Sequence, residues 1–346
     1  MSTTSGASRE FAHAIGVVGA ASSFGAQMLL HLERERPDCW LVSIAERPLR
    51  WPVERISTYR LAQNRVGGIL TMSDIPDFMQ QKAWDMFLEG HELTIADIPD
   101  VLQLEGVDAL IHVGSYYDGP NPEQFCADAQ LWLRAARVAG VRQFIYLSDV
   151  RVYGANADNP IPITERTSTN PSRQHRYLAD AEPASPSAAE DETPAEAHNN
   201  AEQPMKVAVL RTAMSVSANH ASPAADELLL PAVTANRKRS FPLQFLHQHD
   251  LARAIERVIT QRLDGVFNVA GDGVVDSLDI LEWCRVPGLP RNAGSSRSFN
   301  SMGRQLSKHP LIMSSAKFKQ SAGFRFKYSS ARAIRAYCHS VLLEPA

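Results

Sequence analysis

The sequence predicts an α/β fold, a doubly wound parallel sheet with a smaller C-terminal lobe. Three observations predict it. Short apolar runs recur at 14–18, 40–45, 107–113 and 144–148, each the length of a buried strand. Segments with helical apolar spacing lie between them, at 24–32 and 124–139. A glycine turn joins the first run directly to the first helical segment. Alternation of this kind builds a parallel sheet with helices on both faces.

The elements follow in order. Ala14-Ile15-Gly16-Val17-Val18 ends in Gly19, and helical spacing resumes at Phe24 and continues to Leu32. Residues 40–45 form a second buried-type strand, closed by Glu46 and Arg47. Residues 48–93 are a long excursion with helical patches, such as 78–88. Residues 107–113 make another strand, and 124–139 one helix that stops at Gly140, as helices commonly stop at glycine. The strand at 144–148 follows, and the chain after Pro171 reads as a helix start. Residues 183–203 are rich in Pro, Ala, Ser and acidic residues, with no period and no large apolar side chain, which predicts a flexible acidic insert. Order resumes with the strand at 205–211. The expected domains are a nucleotide-binding unit of 10–182 and 204–275, the insert 183–203, and a smaller substrate-type lobe of 276–346.

Bulk properties exclude several classes. A chain of 346 residues, 44% hydrophobic, has the length for one large α/β unit with an appended lobe. Its 35 Lys and Arg against 38 Asp and Glu give a net charge of -3, no reason to expect nucleic acid or an anionic membrane as partner. No apolar run approaches the roughly 20 residues that cross a bilayer, and the polar start of the chain does not read as a signal core. Cys39, Cys126, Cys284 and Cys338 are scattered without paired spacing, and the histidines show no ligand spacing, so no metal site is expected and a reduced, cytoplasmic setting is.

Eight short motifs then occur in a fixed order. Gly19-Ala20-Ala21-Ser22-Ser23-Phe24-Gly25 is similar to a Gly-x-x-Gly-x-x-Gly turn. Ala96-Asp97-Ile98, the strand from Asp108 to His112, and Ala135-Ala136-Arg137-Val138-Ala139-Gly140-Val141 follow. Phe144-Ile145-Tyr146-Leu147-Ser148-Asp149-Val150-Arg151-Val152-Tyr153-Gly154 ends in Val-Tyr-Gly, and Pro162-Ile163-Thr164-Glu165, Leu210-Arg211 and Gly265-Val266-Phe267-Asn268 complete the series. Together they resemble the extended short-chain dehydrogenase/reductase family, the nicotinamide-dependent epimerases and dehydratases that act mostly on nucleotide sugars. The resemblance covers nearly the whole chain and implies a Rossmann-type domain with NAD or NADP as cofactor.

The resemblance assigns the cofactor to Gly19, Ser22, Phe24 and Gly25 of the turn, to Glu46 and Arg47 after the second strand, and to Asp97 and Ile98. Such a turn works because backbone N–H groups at a helix N-terminus meet the phosphates while glycines allow close approach. Ser22 stands where the middle glycine is expected; positive φ there would cost roughly 1 kcal/mol or more, while its hydroxyl could donate to phosphate. Glu46 matches the acidic group that bonds the adenosine ribose, and Arg47 beside it would favour a 2′-phosphate. The competing reading is a turn kept only for strand–helix packing, with Glu46 and Arg47 as solvated charges.

The resemblance also implies a catalytic Ser or Thr four residues before the Val-Tyr-Gly tyrosine, and a tyrosine activated by a lysine four residues later. Asp149 holds the first place, Tyr177 the second and Ala181 the third. A phenol of pKa about 10 without that cation is ionised to about one part in a thousand at neutral pH, and a charged Asp149 nearby would raise its pKa further. Phe125, Asp128 and Ala129 replace an Asn and a Gly-Thr of the family, and Pro183 cuts short the helix that carries Tyr177. The site candidates are thus Asp149, Tyr177 and Tyr153, with Asp149 either an acid or base or a loop residue capping a nearby N–H. Three functions follow as expectations. The first is a divergent NAD(P)-binding protein, degraded in its oxidoreductase set, acting as a regulatory or partner subunit in a homo- or hetero-oligomer. The second is an active epimerase, dehydratase or reductase on a nucleotide sugar or small carbonyl compound, its site rebuilt around Asp149, Tyr153 and Tyr177. The third is a protein-interaction scaffold.

Overall fold

The computed structural model describes residues 13–45, 55–61, 91–93, 97–184, 204–218, 220–235, 240–283 and 297–343. Its centre is an eight-stranded sheet of β1 (His13–Val18), β2 (Cys39–Ala45), β3 (Ile56–Leu61), β4 (His91–Leu93), β5 (Val107–His112), β6 (Gln143–Asp149), β7 (Lys206–Thr212) and β8 (Gly265–Val269). The spatial order is β8-β7-β6-β5-β1-β2-β3-β4, and every adjacent pair is parallel. The predicted doubly wound parallel sheet is therefore present.

Burial explains why these runs become strands. All seven residues of β6 are buried, as is β1 from Ala14 onward, because helices cover both faces of a parallel sheet. Helix α1 (Ser23–Glu35) turns Phe24, Met28, Leu29 and Leu32 inward at helical spacing. It can sit close on the turn before it only because Gly25 has no side chain: a Cβ there would collide with the Gly19 carbonyl and lie 2.9 Å from Ala20 Cα.

The structure departs from expectation in three places. The excursion after β2 contributes β3 and β4, which extend the sheet beyond the strands foreseen; residues 78–88 lie outside the described residues. The single helix expected over 124–139 is two, α3 (Pro122–Ala127) and α4 (Ala129–Val138), after α2 (Ile98–Leu104). They meet at Asp128, where ψ of −12° flattens the turn and one carbonyl serves both the Leu131 and Trp132 N–H groups. Cys39 and Cys126 are free and buried, but Cys338 is disulfide-bonded, a pairing that the scattered spacing did not signal. Of the expected insert, 185–203 lies outside the described residues.

Helices α5 (Arg176–Ala181), α6 (Pro223–Ala235) and α7 (Gln248–Gln261) connect the sheet to the C-terminal segment. Asp250, fully buried in the first turn of α7, accepts the backbone N–H groups of Lys327 (3.1 Å) and Tyr328 (2.8 Å) and an Arg253 hydrogen bond (2.7 Å). The loop after β6 is tied in as well, with Ile163 N–H donating to the Ile312 carbonyl at 2.6 Å. No described helix is long and apolar enough to cross a membrane.

Candidate functional site at the strand carboxyl ends

The strand order reverses at β1, with β2 on one side and β5 on the other. A crevice outside the strand carboxyl ends at such a reversal is the usual ligand position in open α/β sheets. Gly19 turns there with φ 81°, and its N–H donates to the Ile44 carbonyl at 2.9 Å. A Cβ on Gly19 would strike Val113 and lie 2.8 Å from Phe125 Cζ. Ser22 has φ −69°, so the residue in the middle glycine's place carries no left-handed strain. Its buried hydroxyl donates to the Gly19 carbonyl (2.7 Å) and accepts from Gly25 N–H (3.1 Å), the work of a helix N-cap.

The rest of the α1 N-terminus is partly taken. Ala26 N–H bonds the Ser22 carbonyl at 3.0 Å. Ser23 donates both its N–H (3.1 Å) and its hydroxyl to Asp118 Oδ2. Phe24 N–H has no partner among the described residues, and the Phe24 ring is buried 4.8 Å from that of Tyr116. A glycine turn feeding a helix N-terminus fits the phosphate of a nucleotide in kind, but a carboxylate of this chain already stands on its first donor.

The loop after β5 puts it there. Tyr116 is buried and its hydroxyl lies 2.8 Å from Thr212 Oγ1 at the end of β7. Tyr117 stacks on Phe125 with ring centroids 3.9 Å apart. His112 accepts the Gly114 N–H through Nδ1 (3.1 Å), which leaves the proton on Nε2; burial pushes its pKa down to about 3, so the ring is neutral. A cavity of about 240 Å3 remains between Ser23, Phe24, Tyr116, Asp118, Asp226 and Tyr337. That is below the roughly 300–1,000 Å3 of ordinary ligand pockets. Among the other candidates, Asp97 is exposed at the start of α2, Ile98 is in the core, and Glu46 and Arg47 lie outside the described residues.

The second group of candidates lies at the end of β6. Asp149 is 1% exposed and meets Arg151 side-on, with Nε 3.0 Å from Oδ1 and Nη2 2.7 Å from Oδ2. Asp149 Oδ1 also accepts the Arg151 N–H at 2.9 Å, capping the short turn Val150–Tyr153. The remaining Arg151 nitrogen, Nη1, reaches Glu227 Oε2 at 2.8 Å, and Glu227 Oε1 lies 2.7 Å from His175 Nε2. Burial opposes ionisation of Glu227, but the hydrogen bond and charge of His175 and the charge of Arg151 outweigh it and hold the carboxyl at about 2.

Tyr177 lies beside this network, half-buried on α5. Burial raises its phenol; Arg151 lowers it, while Cys126, Asp149 and Glu227 raise it, and the outcome is about 12. The helix that carries Tyr177 packs on the Val150–Tyr153 turn that Asp149 caps, but the Tyr153 side chain belongs to another cluster. It is fully buried, donates to Asn268 Oδ1 (2.7 Å) and accepts from Arg211 Nη1 (3.1 Å). Arg211 in turn pairs with Glu182 (2.6 Å), which also accepts the Ser148 hydroxyl (2.6 Å). Asp118, Arg151, Glu182, Arg211 and Glu227 were not singled out by sequence reasoning. Only Arg151 and Arg211 carried a signal, each standing inside a motif quoted for other reasons.

No family model and no curated protein matches the sequence. Solved structures do match the fold. The chain is similar to dTDP-glucose 4,6-dehydratase from Bacillus anthracis, in complex with NAD, at 13% identity and a TM-score of 0.59, covering 95% of this chain and 96% of that one. It is similar to MoeE5 in complex with UDP-glucuronic acid and NAD at 16% identity and 0.58, covering 94% and 98%. For UDP-N-acetylglucosamine 4-epimerase from Bacillus cereus the values are 13%, 0.56, 95% and 99%. The chain therefore shares the Rossmann-type α/β fold of these dehydratase and epimerase structures.

Proposed function

We propose that this chain is a divergent NAD(P)-binding protein of the epimerase/dehydratase type that has lost tyrosine-based hydride chemistry and serves as a regulatory or partner subunit. The observation that carries the proposal is the pairing of Asp149 with Arg151 beside Tyr177. Oxidising a hydroxyl needs a phenolate near neutral pH and a hydroxyl to bind the reacting oxygen. Asp149 stands in that hydroxyl's place with its carboxylate committed to Arg151. No lysine follows Tyr177 at four residues, and a phenol at about 12 is ionised to about one part in 100,000 at pH 7. Ser148, next along the strand, has its hydroxyl on Glu182.

Binding of NAD or NADP, and of a nucleotide sugar beside it, is supported by the glycine turn, by the Phe24 N–H, which has no partner among the described residues, and by the fold, since the similar dehydratase and MoeE5 structures hold NAD and the latter UDP-glucuronic acid. A second reading keeps the chain an active oxidoreductase or epimerase. Its one support is the charge of Arg151, which lowers the Tyr177 phenol as a lysine would.

Two measurements on the purified full chain test this. Native mass spectrometry reads the bound dinucleotide, which we expect to find. Absorbance at the reduced nicotinamide band, against a panel of nucleotide sugars and small carbonyl compounds, reads hydride transfer, which we expect to be absent. Turnover abolished by Tyr177→Phe would establish the second reading instead.

A further inference from the structure

We infer that Asp118 is a built-in competitor for the phosphate-binding end of α1 and so sets how tightly any phosphate-bearing ligand is held there. The inference rests on the reading above, in which this crevice takes a dinucleotide. Helix α1 is thirteen residues long, so its N-terminus presents unsatisfied N–H groups and a partial positive charge. An entering phosphate oxygen and the Asp118 carboxylate have the same charge sign and want the same donors. Asp118 Oδ2 already has two of them, the N–H and hydroxyl of Ser23.

Its position is fixed from several sides. Tyr116 reaches across to Thr212, and Tyr117 is stacked on Phe125. Gly119 lets the chain pass close to the Tyr117 ring, where any Cβ would clash. Asp118 is therefore held at the helix end by a packed loop, although its own side chain is exposed. Asp226, across the cavity, has its carboxyl pKa raised by burial and then by the charge of Asp118. No lysine or arginine lines this cavity among the described residues. Among the described residues, a phosphate entering it meets two carboxylates and a single unclaimed helix donor, Phe24 N–H. Removing Asp118 frees the Ser23 donors and takes away one of the two charges.

The test is isothermal titration of the full chain with NADH and, separately, with inorganic pyrophosphate. The forms compared are wild type, Asp118→Ala, Asp118→Asn and Asp226→Asn, each checked by thermal melting. A charge-assisted contact of this kind predicts that Asp118→Ala tightens NADH about tenfold or more. Asp118→Asn, which keeps an acceptor but not the charge, falls between that form and wild type. Asp226→Asn, which leaves Ser23 engaged, gains less than Asp118→Ala. If Asp118→Ala does not fold, a gain in Asp118→Asn larger than that in Asp226→Asn carries the inference, and the lack of one overturns it. NADH binding that is equal or weaker in Asp118→Ala overturns the inference and leaves the dinucleotide reading intact. Pyrophosphate binding gained by Asp118→Ala, with no form binding NADH, upholds the competitor and removes the dinucleotide. Silence towards both ligands in every form overturns both.

Discussion

Arg151 folds back onto Asp149, two residues earlier, placing Nε 3.0 Å from Oδ1 and Nη2 2.7 Å from Oδ2 in a site where both side chains are nearly fully buried. Charge on the one is compensated by charge on the other, and the third guanidinium nitrogen is taken by Glu227. A carboxylate at this strand end is therefore tolerated because its counter-ion sits on the same turn.

Breaking that pair leaves a buried guanidinium short of its main partner. Asp149→Asn is expected to lower stability by about 3 kcal/mol, while the double change Asp149→Ala with Arg151→Met costs less than Asp149→Asn alone. Urea denaturation of the three proteins measures both. Equal or larger loss in the double variant would mean that the pair stabilises by more than mutual compensation.

Tyr177 is expected to stay protonated well above neutrality. A tyrosinate difference titration between wild type and Tyr177→Phe should show no ionisation up to about pH 10, where an ordinary phenol is half ionised. A component near pH 7 would reveal an activated phenol and revive an oxidoreductase role.

Glu227 gives a pH dependence with a definite sign. Its folded pKa, about 2, is below the ordinary 4.5, so its contribution to stability is complete above pH 4.5 and is lost as pH falls from there to about 2. Glu227→Gln should flatten that part of the stability profile by on the order of 2 kcal/mol. Denaturation midpoints at a series of acid pH values read the difference; an unchanged slope refutes the assignment.

The turn before α1 predicts an order of costs. Gly19→Ala combines positive φ with collision against Val113 and Phe125, and Gly25→Ala drives a Cβ into the Gly19 carbonyl. Each should cost about 2–4 kcal/mol. Ser22→Ala loses an N-cap, about 1 kcal/mol, whereas Ser22→Gly costs only a few tenths. Because Ser22 is unstrained, Ser22→Gly should also leave NADH affinity nearly unchanged, which calorimetry checks.

Much of this molecule was legible along the chain. The apolar runs that became β1, β2, β5, β6 and β7 are buried on both faces, and a strand of that kind announces itself by an unbroken apolar stretch. The Gly19–Gly25 turn is legible for a related reason: glycine is required where backbone meets backbone, and that need is local. β3 and β4 escaped because Ile56–Leu61 mixes polar residues among its apolar ones and His91–Leu93 is only three residues long.

What the sequence by itself determined is the fold class, the place of the glycine turn, and the absence of lysine four residues after Tyr177. These depend on residue type at short spacing. Only the tertiary structure decided where the charges go: Arg151 to Glu227, Arg211 to Glu182, and Asp118 to the first turn of α1. Those partners are 76, 29 and 95 residues apart. A buried charge needs a counter-charge within a few ångströms, but nothing requires that partner to be near in sequence. Chain topology alone brings the loop after β5 over α1 and the start of α6 beside the end of β6, and with them the groups that occupy this crevice.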